Sequence, residues 1–183
     1  AGGDTTFTVV LDTQPAASVT IGLSSSDLTE GTVTPSSLTF TSANWNAPRT
    51  VSVTGVDDPI VDGSIAYTVV TAAATSADPN YSGLDADDVG LTNTDDDIAG
   101  VTLSPASGLT TSEAGASATF TVVLDTEPSA GVSIGLTSSD LSEGTVAPAS
   151  LTFTSANWNT PQTVTATGVD DALADGPIPY AIL

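Results

Sequence analysis

The chain has 183 residues, a net charge of −21 and one cationic side chain, Arg49, with no His and no Cys. One cation against a net charge of −21 cannot offset a phosphate backbone, so nucleic acid is effectively excluded as a partner. Disulfides, thiolate nucleophiles and zinc–thiolate sites are excluded with the cysteines, and no apolar run approaches the length of a membrane span.

In chain order the residues alternate with a period of two, the signature of half-buried strands. Phe7, Val9 and Leu11 share one face, and Val19, Ile21 and Leu23 follow after a turn. Leu38 and Phe40 predict a short strand, Val51 and Val53 another, then Ile65, Tyr67 and Val69, then Val89 and Leu91. Pro and Gly punctuate the gaps. The stretch beginning at Val101–Leu103 opens a second copy of the same pattern. FTVVLDT at Phe7 returns at Phe120, and SANWN around Trp45 returns around Trp158, at a constant offset of 113 residues. About two-thirds of the aligned positions are identical. A period this long is a whole domain. The expected fold is therefore all-β: two tandem antiparallel Greek-key sandwiches of immunoglobulin type, head to tail. The expected domains are 1–97, without its first strand, and 98–183, without its last strands.

Alternating strand directions place every second loop at the same end. Glu113 follows the first strand of the second copy, and Asp27 follows the third strand of the first copy. Asp57, Asp58 and Asp62 follow the fifth strand, and Asp95, Asp96 and Asp97 close the seventh. So many carboxylates at one end, with no Lys to pair them, either take up protons or gather around a cation. Hard oxygen ligands without His or Cys suit Ca²⁺.

The stretches SDLTEGTVTPSSLTF and VSVTGVDDPIVDG, with LTNTDDD and TTSEAGA, resemble a Calx-beta domain. That resemblance implies calcium at one pole of a seven-stranded sandwich. Its ligands would be Glu113, Asp27 and Asp140, Asp57–Asp58 and Asp170–Asp171, Asp62 and Asp175, and Asp95–Asp97. Ile65 and Ile178 stand where a further acidic residue is usual, which points to one or two structural ions. The resemblance also implies an extracellular or cell-surface bacterial protein.

Asp78, Asp85, Asp87 and Asp88 are read either as a solvated loop or as a second ion site. Adjacent residues point in different directions and the Asp57–Asp58 pair occurs twice, which argues against a glycosidase pair. With no nucleophile–base pair and no unique site, an enzyme is not expected. Trp45 and Trp158 are read as covers over the ends of the cores, or as stacking surfaces for glycans. The expected function is a calcium-stiffened structural repeat of a surface protein or filament, whose partners are neighbouring repeats of the same or identical chains. The alternative is a carbohydrate-binding adhesive module.

Overall fold

The computed structural model describes residues 2–173 and 176–183. The chain folds into two compact units, one of Ala1–Asp58 with Asp62–Asp96, the other of Asp97–Leu183 with Pro59–Val61.

The first unit contains β1 (Asp4–Val9), β2 (Val19–Ser25), β3 (Gly31–Thr34), β4 (Ser37–Phe40), β5 (Arg49–Gly55), β6 (Ile65–Thr71), β7 (Thr75–Ser76) and β8 (Val89–Asn93). They form two antiparallel sheets, ordered β1-β5-β3 and β4-β2-β6-β8, with β7 also against β2. The period-two pattern explains the core. Val51 and Val53 of β5 face inward, as do Val19, Ile21 and Leu23 of β2, Leu38 and Phe40 of β4, and Tyr67 and Val69 of β6. Val19, Phe40, Val51 and Val69 are wholly enclosed. The intervening Thr and Ser residues face solvent, where their β-branching and hydroxyls suit an exposed pleat.

The strand at Gly31–Thr34 was not expected. It has one apolar residue, the half-buried Val33, so it shows no alternation to read. Gly31 lies opposite Gly55 and Thr34 opposite Ser52, while Ser37 lies opposite Gly22 and Phe40 opposite Val19. β3 and β4 thus run in one direction as a single bent strand that changes sheets at Pro35. The bend leaves the strand directions as expected, so Asp27 and the β5–β6 loop share one end.

β3 can start where it does because residue 31 is Gly. The Tyr67 ring lies against its Cα, and a Cβ there would overlap the ring atoms. Gly144 and Tyr180 repeat the arrangement in the second unit. Gly31→Ala is expected to destabilise the first unit by about 1–3 kcal/mol through overpacking. Combined with Tyr67→Ala, the same substitution should cost less than it does alone, a coupling that a double-mutant cycle in urea measures.

The second unit contains β9 (Val101–Ser104), β10 (Ser117–Leu124), β11 (Val132–Gly135), β12 (Gly144–Ala147), β13 (Ser150–Phe153) and β14 (Gln162–Gly168). One sheet is ordered β12-β14-β10-β9 and the other pairs β11 with β13. Beyond β11, the Ser139 amide donates to the Ala181 carbonyl at 2.8 Å and Thr137 exchanges two hydrogen bonds with Leu183. Ser138 opposite Ile182 matches Ser25 opposite Val69 in the first unit, so the repeat keeps its register. The core gathers Phe120, Val122, Leu124, Leu151, Phe153 and Val164. Both units are immunoglobulin-like all-β sandwiches.

Candidate metal centre

One end of the first unit collects acidic side chains on three elements. β5 ends at Gly55 beside the start of β3, so Glu30, which precedes β3, meets the chain leaving β5. The Val56 amide donates to the Glu30 carbonyl at 3.0 Å. Asn93, at the end of β8, donates from Nδ2 to the Val56 carbonyl at 2.6 Å and to Glu30 Oε2 at 3.3 Å. The β5–β6 loop is tied down again where the Gly63 amide donates to Asp95 Oδ2 at 2.8 Å.

Within this frame Glu30, Asp58 and Asp62 each offer a carboxylate oxygen, all within 4.8 Å of one another. Glu30 is only 8% exposed, Asp58 half-buried and Asp62 exposed. Asp57 and Asp96 also bring carboxylate oxygens within 4.8 Å of each other. The Glu30 charge reaches Tyr67: burial pushes the phenol above its usual range, and the neighbouring carboxylate adds to the shift. Oxygen-only donors at this spacing can hold a hard cation.

Glu30 is the residue that sequence reasoning missed. Its signal was there, since the Glu-Gly pair recurs as Glu143-Gly144. Without β3, however, nothing carried Glu30 to the end of β5.

Asp58, Asp62 and Asp57 lie where the sequence placed them, while Asp95 holds the loop and Asp97 opens the second unit. Asp27 is in neither acidic group and shapes its own turn. Its Oδ1 accepts the Thr29 amide at 3.0 Å and the Thr29 hydroxyl at 2.5 Å. The hydroxyl, then the amide, hold its carboxyl below the ordinary aspartate range. Asp140 does the same with Ser142, whose hydroxyl is again the larger cause. These are Asx turns, local devices that need no ion.

Glu113 is exposed in a turn closed between Ser112 and Ala116. Asp170 is exposed, and Asp171 accepts the Leu173 amide at 2.7 Å. Asp175 lies outside the described residues. Among the described residues the second unit gathers no acidic group comparable to that of Glu30.

The Asp78–Asp88 loop uses its acids on the backbone. Asp78, 4% exposed, accepts the Ala16 amide at 2.8 Å on Oδ2, and the Asn80 amide and side chain on Oδ1. Asp88 Oδ1 accepts the Thr71 amide at 2.9 Å. The Ala16 amide, followed by that of Asn80, holds the Asp78 carboxyl below its ordinary value of 3.8. A lowered native value stabilises the fold above the unfolded value and loses that contribution as pH falls through the native one. Acid unfolding should therefore steepen below about pH 4. Asp78→Asn should flatten that limb in melts recorded between neutral and acid pH, and lower the neutral melting temperature by roughly 5 °C.

Trp45 and Trp158 are half-buried and pack against the first and second cores. Their carbonyls accept the Leu11 and Leu124 amides, both at 3.1 Å. This is the covering arrangement.

No protein family matches the chain, and no curated protein matches it. Among solved structures it is similar to the D0-D1 domain of intimin, with a TM-score of 0.28 and 17% identity over 100% of this chain and 89% of that one.

Proposed function

We propose that this chain is a structural repeat segment of an extracellular surface protein, in which the first sandwich holds a calcium ion at the end marked by Glu30, Asp58 and Asp62. The observation that carries the reading is the close approach of these three carboxylates, one of them buried, in a chain with no Lys. Three carboxylates from two loops suit the flexible oxygen shell of Ca²⁺ better than the strict octahedron of Mg²⁺, which keeps much of its water. The role is mechanical rather than catalytic. Tandem units act as spacers or assembly pieces, with neighbouring repeats as partners. The Trp loops give a glycan-binding reading no comparable support, because both indoles pack on their cores.

Calcium titration by calorimetry, after stripping with chelator, tests the reading. Saturable binding that Glu30→Gln abolishes and Asp27→Asn spares is the expected result. Absence of heat at millimolar Ca²⁺, or loss on Asp27→Asn with retention in Glu30→Gln, would overturn it.

A further inference from the structure

The β5–β6 loop carries the pair Asp62–Gly63, and the sequence repeats it as Asp175–Gly176. Backbone conformation fixes the glycine. Gly63 has a φ of 81° and Gly176 one of 76°, a region that other residues rarely adopt. Crowding is not the reason, since a Cβ at Gly63 would meet nothing within 4 Å. The turn therefore holds a residue without a side chain directly after Asp62. Both Asp62 and Gly63 are exposed, and they lie between β5 and β6, outside the ladders.

An aspartate followed by glycine is open to attack on its own side chain. The next amide nitrogen reaches the aspartate Cγ by closing a five-membered ring, and glycine sets no Cβ in the way. One contact opposes that attack here. The Gly63 amide donates to Asp95 Oδ2 at 2.8 Å. An ionised acceptor makes this a charge-assisted bond. It keeps the proton on nitrogen, disfavours the nitrogen anion that would attack, and fixes the amide plane.

We propose that Asp62–Gly63 is a site of isoaspartate formation, guarded in the folded chain by the Asp95 carboxylate. The Gly63 nitrogen bonds to Asp62 Cγ, and a carboxylate oxygen leaves as water with the amide proton and one proton from solvent. The product is a succinimide. Water then adds to either ring carbonyl and breaks that carbonyl's bond to nitrogen, returning a proton to solvent. Opening at Cγ restores Asp62. Opening at the α-carbonyl sends the backbone through Cβ and Cγ and leaves an α-carboxylate as the side group. No oxidant, reductant or co-reactant other than water is used. Isoaspartate lengthens the loop by one backbone atom and withdraws the Asp62 carboxylate from those of Glu30 and Asp58. The chemistry goes beyond the calcium reading and does not rest on it; only the consequence for ion binding does.

The test ages the 183-residue chain for several weeks, warm, at neutral pH and in excess chelator. Electron-transfer fragmentation of the chymotryptic peptide spanning residue 62 separates isoaspartate from aspartate, and labelling by isoaspartyl methyltransferase counts it independently. The parent chain in urea should accumulate isoaspartate at residue 62, and the folded parent should do so far more slowly. Folded Asp95→Ala should form it about tenfold faster than the folded parent, the worth of one charge-assisted hydrogen bond. Should that variant fold poorly by circular dichroism, Asp95→Asn keeps a neutral acceptor and should still exceed the parent rate. Absence of isoaspartate at residue 62 in the unfolded chain, equal rates in the folded and unfolded parent, or folded Asp95 variants that age no faster than the parent would overturn the proposal.

Discussion

Phe40→Ala is expected to lower the stability of the first unit by about 3–5 kcal/mol, the usual cost of emptying an enclosed aromatic site. Phe40 ends β4 opposite Val19, is wholly buried, and lies in the core with side chains of both sheets. The neighbours are β-branched or held in a ladder, so they cannot collapse into the space, and the cavity term adds to the lost transfer energy. Small domains hold only about 5–15 kcal/mol in total, so the variant should lose a large share of its margin. Urea titration with Trp45 fluorescence as the local probe should show a fall in midpoint with little change in slope. Phe153→Ala, at the matching position of the second unit, should act on the Trp158 signal in the same way. A midpoint shift below the cost of a surface substitution would mean that Phe40 is not enclosed.

The sandwich was legible because a solvated pleat writes its burial into alternate residues, and because the chain repeats that pattern at a fixed offset. The convergence of the β5–β6 loop and the end of β8 was legible for a related reason: strand direction alone puts Asp57, Asp58, Asp62 and Asp96 at one end. Two things were not. Gly31–Thr34 has too few apolar residues to announce a strand, and with it went Glu30, the buried member of the acidic group. Asp27 and Asp140 stand in the loop that the resemblance assigns to a ligand, yet Asp27 and Asp140 join neither acidic group. The Thr and Ser two residues later mark them as turn formers, a pattern that counting carboxylates overlooks.

Calcium should raise the melting temperature of the first unit, and the size and sign pattern of the effect can separate ion binding from general charge screening. An ion that binds only the folded state at about 100 times its Kd contributes about 2.7 kcal/mol. In a domain of this size that corresponds to a shift of roughly 10–20 °C. Glu30→Gln should erase most of the calcium response. In chelator it should match or exceed the parent chain, because it removes one of three clustered like charges and keeps an acceptor for Asn93 Nδ2. Asp27→Asn should do the reverse: it weakens the Thr29 turn under all conditions but keeps the response to calcium. Molar NaCl screens every exposed carboxylate alike and should not reproduce the millimolar calcium effect. Scanning calorimetry of the three chains, each in chelator, in calcium and in salt, decides the matter. Equal responses to calcium in the parent and Glu30→Gln chains would remove the Glu30 group as the site, and an effect matched by NaCl would leave only repulsion among exposed acids.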